Sequence, residues 1–295
     1  MFEYLRVKPE PFKVAPDPGS ISVNELMGDF GLPISIRTIN GLPIQAKQRV
    51  YRLLIPSPLL AGFDINPVTW KCPEGDGYVQ CKAEPDTNTV NLSVRESPES
   101  PDVFFCLELA DNNFNGIDLN LLRMSDPATS RFRTDFDEEG RPTLFGSLCR
   151  NRIEAERAMR AGLAPGQIRS SLGASRVVFQ QLDGFLAFLG HAAVSLEPMT
   201  YVSAWIFERR GFAYLRGHKF MDDVHEEFQP GGRLHRALDG STPFRQPDQW
   251  QTVRGRAWAI HDGILSAIDA RWDGLRMIKR VGYQAGVNTF PNVVY

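Results

Sequence analysis

The sequence offers little that would secrete, anchor or crosslink it. Four cysteines occur in 295 residues: Cys72, Cys81, Cys106 and Cys149. Eight residues separate Cys72 from Cys81, which is not a zinc-knuckle spacing. A hairpin disulfide between them would need an oxidising compartment, so reduced, structural thiols are expected. Residues 1–12 mix Glu3, Arg6, Lys8 and Glu10 with two prolines and have no apolar signal core. The most apolar run, 184–196, is shorter than the ~20 residues a membrane helix needs. There is no basic excess either. Lys plus Arg is 33 against 35 for Asp plus Glu, a net charge of −2, which argues against nucleic acid and anionic membranes as partners. A cytoplasmic protein acting on a small molecule is the expectation, and homo-oligomerisation stays open.

Ordinary globular composition is present: 42% hydrophobic and 23% charged residues, enough for a sizeable core. Proline is uneven, with 15 of the 21 in residues 1–142. Proline breaks helix interiors, so the first half should be extended and loop-rich. Residues 1–70 read as an arm or subdomain whose clear strand is 49–55. Residues 77–83, 89–96, 102–110 and 114–122 alternate or run apolar as strands of an antiparallel meander. The acidic run 135–140 partly resembles a calcium loop. Its closing acid would fall on Gly146, so a solvated turn is expected. The second half reads as helical over 150–161, 166–189, 200–210 and 218–228, with short strands at 191–196 and 212–215. The fold class expected is α+β, an antiparallel meander packed with helices. Its core would span 71–216, with extensions at 1–70 and 217–295.

Residues 200–212 read Thr-Tyr-Val-Ser-Ala-Trp-Ile-Phe-Glu-Arg-Arg-Gly-Phe. This resembles the closing motif of GNAT-type acyl-CoA N-acyltransferases, N-x-x-A-x-x-L-Y-E-x-x-G-F, a helix followed by a strand. Thr200 stands at the Asn, Ser203 at the Ala, Ile206 at the Leu and Phe207 at the Tyr. Glu208, Gly211 and Phe212 match directly. The preceding meander, helix and short strand suit that topology, and the resemblance covers 77–216. It implies an acyl-CoA-dependent transferase acting on a small-molecule or peptide amine, with acyl-CoA as a substrate. Two departures are visible. The family's Tyr often protonates the departing thiolate, and Phe207 has no hydroxyl. The family's pyrophosphate loop, Q/R-x-x-G-x-G/A, is met only by Arg160-Ala161-Gly162-Leu163-Ala164, its arginine one residue too close. Gly162, Ala164 and Gly166 would then cradle CoA at the start of the 166–189 helix, with Arg169 adding charge.

All five histidines lie between 191 and 261. On a helix, His218, Asp222, His225 and Glu226 share one face. With His261 and Asp262 they could hold Zn, Fe or Mn, and the His261-Asp262 pair is similar to that of HD-type metal hydrolases. An amphipathic surface helix explains the same pattern, so a metal stays unassigned. His261, beside a carboxylate, is a candidate general base, as is Glu197. Three readings are carried forward: an acyltransferase, a metal-dependent enzyme using the cluster in 218–262, and a non-catalytic interaction protein on a degenerate acyltransferase scaffold.

Overall fold

The computed structural model describes residues 32–143 and 150–295. The first 31 residues of the expected arm, and Cys149, lie outside the described residues. The fold is mixed α and β. Its chain divides into two compact units, each drawn from three segments. The first unit takes residues up to Pro127, then Ser171–Leu196, then Lys279–Tyr283. The second takes Ala128–Ser170, Glu197–Ile278 and Gln284–Tyr295.

The first unit opens with helices α1 (Ile36–Asn40), α2 (Ile44–Tyr51) and α3 (Ser57–Ala61). The strand expected at 49–55 is instead the end of α2 and a following 3-10 turn, Arg52–Leu54. Lys47, Val50, Tyr51 and Leu54 are all buried. Their three- and four-residue spacing is that of a helix face, and it outweighs the β preference of Val50 and Tyr51. Four strands follow: β1 (Val79–Lys82), β2 (Thr89–Arg95), β3 (Val103–Asp111) and β4 (Ile117–Met124). They form the expected antiparallel meander. Val90, Leu92, Val94, Phe105, Leu107, Leu109 and Leu119 are buried from it. Asp111 at the end of β3 takes the Ile36 and Arg37 N–H groups on its two carboxylate oxygens, at 2.7 and 2.9 Å.

Helix α5 (Ser175–Phe188) buries Val178, Phe179, Leu182, Phe185 and Leu186, and β5 (Ala193–Leu196) returns parallel to β4. The tail of a later strand, β7 (Arg276–Arg280), follows β5 in the strand order. There Lys279, 2% exposed, meets Asp183 of α5 at 2.5 Å.

The second unit contains α4 (Arg152–Arg160), α6 (Tyr201–Arg209), β6 (Ala213–Arg216), α7 (His218–Glu227), α8 (Arg233–Arg236) and α9 (Val253–His261). β6 pairs antiparallel with the first residues of β7. Tyr201, Val202, Ala204, Met221, Val224, Phe228, Leu234, Val253 and Phe290 share one apolar core. The acidic run near 135 is a closed turn. Asp137 accepts from the Glu139 and Arg141 backbones and pairs with the Arg141 guanidinium at 2.7 Å. Cys72, Cys81 and Cys106 are free thiols. Burial pushes the Cys81 thiol up to about 11 and raises that of Cys106, so both are inert thiols. No helix among the described residues is long and apolar enough to cross a membrane.

Candidate functional site

Within the first unit, β4 and β5 run together for two residue pairs only, Ile117 with Val194 and Asp118 with Ser195. The last rung is fastened by side chains. The Ser195 hydroxyl donates to Asp118, and the Asn112 amide donates to the same oxygen at 2.9 Å. Beyond that rung, β4 continues to Met124 while β5 stops at Leu196. The departure has a local cause. Glu108 of β3 pairs with Leu121 and Leu109 with Leu119, so Asn120 is an extra residue, a β-bulge. A bulge bends its strand and increases the twist. The bulged Asn120 donates to Glu108 at 3.2 Å, and Asn91 of β2 donates to the other carboxylate oxygen at 3.1 Å.

Helix α5 begins at Ser175, not near Gly166, because Gly173 turns with φ +70 just ahead of it. Ala174 at its N-cap has no side chain to offer the first-turn N–H groups. Ser171, Gly173 and Arg176 are exposed around that end, and a Cβ on Gly173 would meet nothing within 4 Å. The apolar period extends back through Ile168 and Leu172, which is why the expected helix of 166–189 overruns this turn. The Ser-Leu-Gly-Ala string was the available signal.

In the second unit, the segment expected to cradle CoA is already satisfied internally. Gly162 follows the C-terminus of α4, with φ +81. Its N–H goes to the Met159 carbonyl, that of Leu163 to Ala158, and that of Ala164 to the Gln167 side chain at 2.7 Å. A helix C-terminus presents carbonyls and the negative end of the dipole, so this location does not suit a pyrophosphate. Gly166 also has positive φ, and Arg169 spends Nη1 on the Thr129 carbonyl.

His261 ends α9. The Trp258 ring meets it edge-on at 5.8 Å, and the Trp258 indole N–H reaches the Leu163 carbonyl at 2.8 Å. Thus Trp258 touches both the Gly162–Gly166 segment and the candidate base. Burial, and then the Arg150 charge, push the His261 imidazole down to about 4 against a weaker opposite pull from Asp262. Asp262 itself is engaged by Arg245 at 2.8 Å and by the Thr242 hydroxyl at 3.0 Å. His261 is therefore neutral at ordinary pH and a weak base. Glu197 lies apart, largely exposed, 3.3 Å from Arg276.

The histidines on α7 diverge. His218 approaches Asp222 at 3.9 Å, and its ring stacks on Tyr214. His225 turns inward to the fully buried Arg256, with Nδ1 3.1 Å from the guanidinium. Arginine has no acceptor, so Nδ1 accepts that bond and is not open to a metal. Among the described residues no group of three or more His, Cys, Asp or Glu is placed to hold a metal ion. Arg256 also donates to the Trp250 carbonyl at 2.6 Å. No periodicity in the sequence announced a buried arginine there.

The motif of residues 200–212 is built as its residue types require. Thr200 and Ser203 form a reciprocal capping box at the start of α6. Gly211 leaves the helix at φ +90 and Phe212 is fully buried. Glu208, 2% exposed, accepts from the Tyr214 hydroxyl at 2.6 Å and from the Thr289 N–H and hydroxyl at 3.0 and 2.7 Å. No family model matches the chain, and neither a curated protein nor a solved structure matches it.

Proposed function

We propose that the chain is an acyl-CoA-dependent acyltransferase, or a diverged relative, acting on a small-molecule or peptide amine. The observation that carries this reading is the β4–β5 seam. A parallel pair that is closed for two rungs and then parted by a bulge leaves, among the described residues, backbone donors and acceptors of β4 unpaired on the side away from β3. An extended amide-bearing chain such as pantetheine can use such groups. The resemblance over 200–212 and the order meander, helix, parallel strand, helix, strand point the same way. The pyrophosphate is reassigned in this reading from Gly162–Gly166 to Gly173–Arg176, where an exposed glycine turn precedes a long helix. The two candidate bases, Glu197 and His261, both belong to the second unit and are not assigned to this seam.

The low basicity of His261 and the structural employment of Glu208 also favour a second reading, an interaction protein on a scaffold that has lost transfer activity. Calorimetric titration with acetyl-CoA and longer acyl-CoAs separates them. The transferase reading expects saturable heat with at least one acyl-CoA, weakened at least tenfold by a bulky Gly173→Val substitution. The absence of heat with every acyl-CoA overturns it.

A further inference from the structure

A second feature, independent of the seam between β4 and β5, lies wholly within the second unit. The ring of Tyr295 is stacked on the Trp205 indole, with centroids 5.4 Å apart and planes 27° from parallel. The Arg254 guanidinium lies over the Tyr295 ring at 5.0 Å. Arg209 lies over the Trp205 ring at 4.0 Å. Each of the two stacked rings therefore carries a guanidinium. We propose that this is a binding slot for a purine nucleotide and that Tyr295 is its internal occupant.

Four observations carry the assignment. A planar ring that meets an indole and a guanidinium is held by stacking and cation–π attraction, which accept any flat π system of similar size. The bicyclic face of Trp205 exceeds the single ring now on it, so a two-ring base covers it more fully. One guanidinium, that of Arg254, borders the slot directly, and Arg209 on the indole is exposed, so a cation is within reach of a phosphate. Among the described residues the buried Trp205 indole N–H has no hydrogen-bond partner, and a ribose or phosphate oxygen would supply an acceptor.

The occupant is lightly held. Val294 is 70% and Tyr295 38% exposed. Their segment is tied down by a single-residue bridge from Val294 to Thr252, by the Val253 N–H on the Val294 carbonyl and by a long Arg254 bond to the Tyr295 carbonyl at 3.4 Å. Arg254 anchors the slot through the Gly162 carbonyl. A nucleotide entering the slot would displace the phenol ring, so Tyr295 acts as an autoinhibitory plug.

The test uses the full chain and AMP as the probe, read by calorimetry. Tyr295→Ala should bind AMP about tenfold tighter than wild type, the scale of one lost stacking competitor. Tyr295→Phe, which keeps the plug, should behave as wild type. Trp205→Leu combined with Tyr295→Ala should abolish the gain. Ribose 5-phosphate, lacking the base, should not compete. Equal AMP affinity in wild type and Tyr295→Ala overturns the proposal, as does ribose 5-phosphate binding as well as AMP. Because Tyr295 is exposed, an unchanged thermal midpoint confirms that Tyr295→Ala is folded. Since acyl-CoA is not the probe, a negative acyl-CoA titration leaves this result independent.

Discussion

Glu208 shows what the sequence motif encodes at the scale of a residue. Its carboxylate is withdrawn from solvent and joins α6 to β6 through Tyr214 and to the later chain through Thr289. Burying an anion is costly unless donors surround it, and here three donors do. Removing it strands the Thr289 N–H and the Tyr214 hydroxyl. Glu208→Ala should therefore lower unfolding stability by about 3 kcal/mol, measured by urea denaturation. A loss under about 0.5 kcal/mol would show that the node carries no weight. Gly211 has an equally physical reason: its φ is +90 and an added Cβ would lie 2.5 Å from the Gln284 side chain. The string Glu-x-x-Gly-Phe was thus legible as a helix exit. What it could not convey is catalysis, because each matched residue is already committed to holding the unit together.

Elements were legible where one period dominated. The meander strands and α4, α6 and α7 stand within a few residues of their expected ranges, since their apolar spacing and glycine stops agree. The misread elements were decided by packing. Helix α2 passed for a strand, and α9 and β7 were lost in a stretch read as short pieces, because Arg256 and Lys279 are polar residues occupying core positions. The same packing has a pH signature. Burial and Arg256 hold the His225 imidazole below its ordinary value, outweighing Asp222, and burial and Arg150 hold His261 at about 4. In both cases the unfolded chain binds more protons on acidification. Their stabilising contribution is whole above about pH 6.5 and is lost as pH falls below it, for His261 toward 4. Urea midpoints measured between pH 7.5 and 4 should fall, and His261→Gln should flatten that fall by at most about 3 kcal/mol. An unchanged slope in His261→Gln would contradict the burial of the neutral ring.

At the scale of the whole molecule, the chain leaves the first unit after Pro127, returns for Ser171–Leu196, leaves again and comes back at Lys279. Composition cannot signal such interleaving, because it depends on contacts between residues far apart in sequence. The expected division at 70 and 216 followed instead the poor periodicity of the first seventy residues and the extent of the family resemblance. The Lys279–Asp183 pair ties the last return to α5. Breaking it with Lys279→Met leaves a carboxylate facing an apolar side chain. That should cost about 2 kcal/mol, discounted because Asp183 keeps some solvent, and it is read from thermal unfolding. A neutral outcome would mean that the methionine packs as well as the ion pair. The order of synthesis adds a further demand. Lys279 is made 96 residues after Asp183, a delay of roughly 5–20 s at ribosomal speed. Through that interval the nascent first unit lacks its last segment, Lys279–Tyr283, and with it the ammonium that faces Asp183.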